Sequence, residues 1–129
     1  DGELAEGSNW EAAMSAAKFK LDHLTWIIDR NHLQISGNTE DVMPLEDLKA
    51  KTEAFGFYTV SINGHDFDEI YNALDLYVKD KPVCIISNTI KGKGIPEAEN
   101  QASWHHKTPS KEQVEEVEHA YQSIRKELA

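Results

Sequence analysis

The strongest constraint in this 129-residue chain is an alternation. Short runs rich in β-forming apolar residues, at 24–28, 57–62 and 83–86, are separated by longer stretches with helical spacing. Each run is too short for a helix, so each reads as a buried strand. Strands alternating with helices imply βαβ units, which require a parallel sheet with right-handed crossovers. The expected fold class is therefore α/β: a parallel sheet with flanking helices.

The intervening segments carry their own start and stop signals. Ser8 and Glu11 have capping-box spacing. Trp10, Ala13, Met14, Ala17 and Leu21 follow at helical positions, which predicts a helix over about residues 9–20. Pro44 and Leu45 open a second helix, and Gly56 stops it. Asp66 and Glu69 start a third, running to about Lys79. Pro82 ends the connection to the last strand. Residues 95–109 lack periodicity and read as an ordered loop. Ser110 and Gln113 cap a final helix over about residues 111–128. Its seam, Val114, Val117, Tyr121, Ile124 and Leu128, is expected to pack on its own domain, with a groove on a partner as the minority reading.

Parallel sheets bind ligands outside the carboxyl ends of their strands. Here those ends are followed by Asn31-His32, by Asn63-Gly64-His65, and by the run from Thr89 through Lys91 and Lys93 to Gly94. All three should lie on one edge of the sheet. That edge is the expected site.

Composition excludes several alternatives. A net charge of −10 offers no basic footprint for nucleic acid. The single cysteine, Cys84, sits inside an apolar run and reads as a small buried hydrophobe in a reducing compartment. There is no signal-like segment at the start and no apolar stretch near membrane-spanning length. A soluble, cytoplasmic globular chain is expected. No internal repeat or low-complexity segment is evident.

Two residues suggest chemistry. Asp1-Gly2 opens the chain, and Asn31 follows the first expected strand. An Asp-Gly pair commonly marks only a turn, and asparagine is common in loops. Yet one carboxylate and one amide oxygen also suit a hard cation such as Mg²⁺ or Ca²⁺, and magnesium favours sharing its sphere with phosphate oxygens and water.

The surrounding residues are more specific. The run from Asp1 through Glu3, Glu6 and Gly7 to Trp10, Glu11 and Ala13 resembles the transketolase form of the thiamine-diphosphate motif. So does Asp29-Arg30-Asn31-His32-Leu33-Gln34-Ile35-Ser36-Gly37. Val42-Met43-Pro44-Leu45, Asn63-Gly64-His65-Asp66-Phe67, Thr89-Ile90-Lys91-Gly92-Lys93-Gly94 and Trp104-His105 agree in order and spacing. The resemblance extends to about Pro109.

It implies that residues 1–129 are the second half of a transketolase-type thiamine-diphosphate-binding domain. The implied enzyme is cytoplasmic, serves carbohydrate metabolism in the pentose phosphate pathway, and moves a two-carbon ketol unit from a ketose phosphate to an aldose phosphate. The implied metal ligands are the side chains of Asp1 and Asn31 and the carbonyl of Leu33. Gly2 and Lys91 would face the diphosphate, and Ile35 would lie near the cofactor ring. His105 would serve both diphosphate and sugar. Glu6 would sit at a subunit interface linked to proton transfer. Lys93 reads as solvated, His65 as structural and His32 as exposed.

Two departures qualify the implied function. The family motif has a glycine before its aspartate, whereas the aspartate here is Asp1. The elements that normally precede it hold further cofactor contacts and substrate histidines. Family members commonly have Trp-His-Gly where this chain has Trp104-His105-His106, which bears on sugar specificity. The glutamate that activates the aminopyrimidine is normally on the other half of the enzyme. A complementary chain carrying that pyrimidine-side domain is therefore an expected partner, in a heterodimer or a dimer of heterodimers, and activity without it is not expected. A split ketol transferase for a modified sugar, and a non-catalytic fragment packing against a partner chain, remain as alternatives.

Overall fold

A computed structural model of the chain describes residues 1–127. A 3-10 turn, Gly2–Ala5, leads into helix α1, Gly7–Lys18. Strand β1 is Thr25–Arg30. A two-residue pair, β2 Leu33–Gln34 and β3 Gly37–Asn38, follows with the short helix α2, Thr39–Val42. Then come α3 Leu48–Ala54, β4 Tyr58–Asn63, α4 Phe67–Leu74 and β5 Val83–Asn88. A second 3-10 turn, Ala102–His105, precedes α5, Lys111–Glu127.

The main sheet has order β1-β5-β4 and both of its pairings are parallel. The last strand in sequence thus inserts between the other two, as βαβ crossovers allow. Strand β5 is buried on both faces, and its alternation divides the core. Val83 and Ile85 join Ala73 of α4, with Val60, Ile62, Leu76 and Val78 alongside. Cys84 and Ile86 face the other way, into Leu4, Ala13, Ala16, Ile28, Leu45, Leu48 and Phe57. Trp10, Trp26 and Phe55 pad that second cluster, with Trp10 stacked on Phe55 at 5.3 Å between ring centroids. Among the described residues, no helix is long and apolar enough to cross a membrane.

All three expected strands form, each ending one or two residues later than the apolar pattern suggested. Asp29-Arg30 and Ser87-Asn88 continue the ladder as polar residues, paired in register Asp29 with Ser87 and Arg30 with Asn88. The helix starts diverge more. The box at Ser8 does not form: α1 begins at Gly7 with Glu6 at its N-cap, and Asn9 Nδ2 donates instead to the carbonyls of Glu3 and Glu6. The second expected helix starts not at Pro44 but at Leu48, because Asp47 accepts from the Ala50 N–H at 2.9 Å and supplies the cap. Gly56 does stop that helix, at φ +100°, where a side chain would be strained. Asp66 caps α4 through the N–H groups of Asp68 and Glu69, but the helix ends at Leu74 rather than near Lys79.

The box at Ser110 forms in both directions. Ser110 Oγ accepts from the Gln113 N–H, and Gln113 Oε1 accepts from the Ser110 N–H. The seam of α5 does not pack as expected: Val114, Val117 and Tyr121 are exposed. Helical spacing reports amphipathicity but not what covers the apolar side. Ile124 and Leu128 of that seam lie outside the residues whose side chains are described. The small β2–β3 pair and α2 have no strong sequence pattern and emerge only in the structure.

Candidate functional site

The three segments after the strands do converge. The Gly64 N–H donates to Asn88 O at 2.8 Å, and the Thr89 N–H donates to Arg30 O at 3.2 Å. Thr89 Oγ1 also hydrogen-bonds to Asp29 Oδ1. The Ile90 N–H donates to His65 Nε2 at 2.8 Å. His65 thus fastens one loop to another, in keeping with its structural reading.

Beside this junction lies a cleft of about 670 Å³, lined by Asp1, Gly2, Asn31, Leu33, Lys91 and His105, together with Glu6, Ile35 and others. All eight residues expected at the site therefore share one cavity, although they come from the chain start up to the N-cap of α1, from the segment 31–35 that holds β2, from the loop after β5 and from the second 3-10 turn.

Asp1 is the centre of this arrangement. Its side chain is fully buried. One carboxylate oxygen, Oδ2, accepts from Arg30 Nη1 at 3.0 Å and from the His32 N–H at 2.7 Å. The other, Oδ1, is buried without a hydrogen-bond partner. A buried, unpartnered carboxylate oxygen is costly unless a cation or donor meets it. Asn31, next to His32, has its amide oriented by two contacts. Nδ2 donates to Asp29 Oδ2 at 3.3 Å, and Oδ1 accepts from the Leu33 N–H at 3.0 Å. An amide oxygen can accept twice, so Oδ1 keeps a lone pair.

The donor set fits a particular kind of metal. Among the described residues no group of His, Cys, Asp and Glu is placed to hold an ion by itself. One carboxylate, one amide and one carbonyl make a sparse, oxygen-only set. That set suits a hard divalent ion that completes its sphere with phosphate oxygens.

The remaining expected residues are placed as follows. Gly2 is forced by close approach: a Cβ there would lie 2.7 Å from the Cβ of Gln34. That reason differs from the expected approach to a diphosphate, and the spacing gave no hint of it. Ile35 is exposed, so ordinary core packing does not explain it. Lys91 is half-buried at the cleft wall, whereas Lys93 is exposed and pairs loosely with Glu99 at 3.9 Å. Glu6, exposed at the start of α1, is well placed for the helix dipole. His105 is exposed on the cleft rim, with its ring edge-on to His106 at 4.5 Å between centroids. His32 is also exposed, at φ +63°, and burial of part of its ring together with the Arg30 charge lowers its pKa.

The structure adds Arg30, which motif matching passed over. It is buried, at 6% exposure. Nη1 also donates to Thr39 Oγ1 at 2.8 Å, and Nη2 donates to Glu40 Oε1 at 2.6 Å. A signal for it existed: Arg30 stands two residues after buried Ile28, on the same strand face. A buried arginine needs acidic partners.

The model of the family described as the thiamine-diphosphate-binding domain of transketolase matches residues 1–126. The chain belongs to the transketolase family. One of the subunits of apulose-4-phosphate transketolase from Phocaeicola vulgatus is 48% identical over 120 residues, which cover 91% of this chain and 42% of that protein. The 6-deoxy-6-sulfo-D-fructose transketolase subunit from Clostridium sp. is 46% identical, over 81% of this chain and 39% of its own length. Human transketolase is 38% identical over 91% of this chain and 19% of its own. The chain thus spans about two fifths of the subunit-type relatives and about one fifth of the longer transketolase. Transketolase from Campylobacter jejuni superposes with a TM-score of 0.82 at 33% identity, over 93% of this chain and 19% of that one. The parallel sheet with flanking helices is the class expected from the alternation of strands and helices, and the transketolase-type fold is the one the motif resemblance implied.

Proposed function

We propose that this chain forms the metal and diphosphate side of a transketolase active site, as the second half of a thiamine-diphosphate-binding domain that ends in α5. The observation that carries this reading is the Asp1 side chain, fully buried with Oδ1 unpartnered, in the cleft that Asn31 and Leu33 also line. Asp1, Asn31 and the Leu33 carbonyl would hold Mg²⁺ or Ca²⁺. Gly2 and Lys91 would face the diphosphate, one by leaving room and the other by charge. Ile35 would offer an apolar surface to the cofactor ring.

The chemistry supplied by bound thiamine diphosphate is stabilisation of the carbanion equivalent produced when a ketose is cleaved. The chain's own residues position and screen. His105 would meet both diphosphate and donor sugar through an imidazole suited to a phosphate oxygen or a hydroxyl. Glu6 would act at a subunit interface in proton transfer around the cofactor. The assembled reaction is transfer of a two-carbon ketol unit from a ketose phosphate to an aldose phosphate. A complementary chain with the pyrimidine-side domain completes the site, in a heterodimer or dimer of heterodimers in the cytoplasm. Ketol transfer by the isolated, mass-verified chain would contradict that requirement.

A specific observation favours a narrower second reading. The two subunit-type relatives are named for apulose-4-phosphate and for a sulfonated fructose. Trp104-His105-His106 replaces the usual Trp-His-Gly at the cleft rim. The substrate would then be a modified sugar within the same ketol chemistry.

The deciding experiment is titration calorimetry of thiamine diphosphate with magnesium into the full-length assembled protein. Asp1→Ala should weaken binding strongly, because the diphosphate loses its bridging cation. Unchanged affinity would remove the metal assignment.

A further inference from the structure

The two oxygens of the Asp1 carboxylate are not equivalent. Oδ2 is saturated by two donors, the Arg30 guanidinium and the His32 N–H. Oδ1 has none. Arg30 is fixed in turn from its far side. Thr39, itself fully buried, accepts from Nη1, and Glu40 accepts from Nη2. Glu40 is held by the N–H groups of Leu45 and Glu46 at 3.3 and 3.2 Å. The chain of contacts runs from the segment before α3, through α2 and the end of β1, to the carboxylate in the cleft.

We propose that Arg30 is a positioning residue that makes Asp1 a one-oxygen ligand and so biases the site toward magnesium over calcium. The inference rests on the metal reading above. Calcium takes carboxylates in one- or two-oxygen mode and accepts six to eight ligands, whereas magnesium requires a near-ideal octahedron. A carboxylate whose second oxygen is already occupied cannot chelate through both. Partners behind a ligand that set its orientation commonly change metal affinity when removed. Removing the Arg30 charge also raises the attraction for any dication, but equally for both ions. The ratio of the two affinities therefore isolates the geometric effect.

The experiment uses the full-length assembled protein and measures thiamine diphosphate affinity by calorimetry, once with Mg²⁺ and once with Ca²⁺. The variants are Arg30→Gln, Arg30→Lys, Glu40→Gln and Asp1→Asn. Arg30→Gln should shift the Mg²⁺-to-Ca²⁺ preference several-fold toward calcium, whichever way the two absolute affinities move. Arg30→Lys should restore part of the preference, since one donor still reaches Oδ2. Glu40→Gln, which leaves Arg30 charged but less firmly held, should shift it in the same direction by less. This third variant keeps the test open if the buried substitutions fail to fold. Equal factors for both metals in the Arg30 and Glu40 variants would reduce Arg30 to a structural residue and overturn the proposal. If Asp1→Asn leaves both affinities unchanged, the metal reading itself falls and this inference falls with it. If only Asp1→Asn has an effect, the metal reading stands and Arg30 has no part in it.

Discussion

The backbone N–H of Ile90 donates to Nε2 of His65 at 2.8 Å, joining the loop after β5 to the loop after β4. Lys91, on the cleft wall, is the next residue. Removing the ring should leave the Ile90 amide without its acceptor, at a cost of about 1 kcal/mol. His65→Ala is therefore expected to speed hydrogen exchange at Ile90 and Lys91 while sparing the amides of β5. It should also lower thiamine diphosphate affinity modestly through Lys91. Unchanged exchange at those two amides would show that the loop is held by other contacts.

Arg30 also sets a pH dependence. Its hydrogen bond to Glu40, reinforced by the backbone N–H groups of Glu46 and Leu45, holds the Glu40 carboxyl below the usual carboxylate range. A carboxylate whose pKa is lower in the folded state than in the unfolded chain stabilises the fold fully above its ordinary value. That contribution is lost as the pH falls through the lowered value. Glu40→Gln removes this contribution, so its melting temperature should decline less steeply than the parent's from neutral pH into the acid range. Parallel declines would mean that the Arg30–Glu40 pair adds no acid-sensitive stability.

Cys84 offers a probe of the core. It is fully buried, and burial pushes its thiol up to about 12. The thiolate is the reactive form, so a thiol reagent should leave Cys84 unmodified in the native protein at neutral pH. Labelling should follow global unfolding, with the same midpoint in denaturant as the circular dichroism signal. Rapid labelling without denaturant would show that β5 opens locally.

The sheet was legible because its signal is redundant. In β5, four apolar residues in a row must be buried on both faces, and only a central parallel strand satisfies that easily. The site edge was legible for the same reason, since strand ends locate it without any motif. Helix starts were less legible. Ser8 and Asp47 both carry a side-chain oxygen suited to a cap, yet only Asp47 acts as one, accepting from the Ala50 N–H, whereas α1 starts one residue before Ser8 with Glu6 at its N-cap. The role of Gly2 and the arginine network depended on contacts between the first turn and the segment around the end of β1, far apart in sequence. Period-two burial in β1 could have exposed Arg30, but not its division of the Asp1 oxygens. The seam of α5 shows the opposite failure: the pattern is present, yet Val114, Val117 and Tyr121 have no cover among the described residues.

The adjacent histidines separate cofactor from substrate. His105 and His106 meet edge-on at 4.5 Å between ring centroids, and only His105 lines the cleft. On the proposed assignment, in which His105 would meet both donor sugar and diphosphate, His105→Ala should lower kcat even at saturating thiamine diphosphate. His106 touches the cleft only through its neighbour, so His106→Gly should leave cofactor affinity unaltered. It should instead change which sugars are preferred, by freeing the His105 ring and opening the rim. The measurement is kcat/KM over a panel of ketose and aldose phosphates, including modified sugars, with the full-length assembled protein. Lys107 stands 4.4 Å over the Trp104 ring and should hold the turn in place in both variants, so a general collapse of activity is not expected. An identical ranking of sugars in parent and His106→Gly would return His106 to a surface role. The modified-sugar reading would then rest on the relatives' names alone.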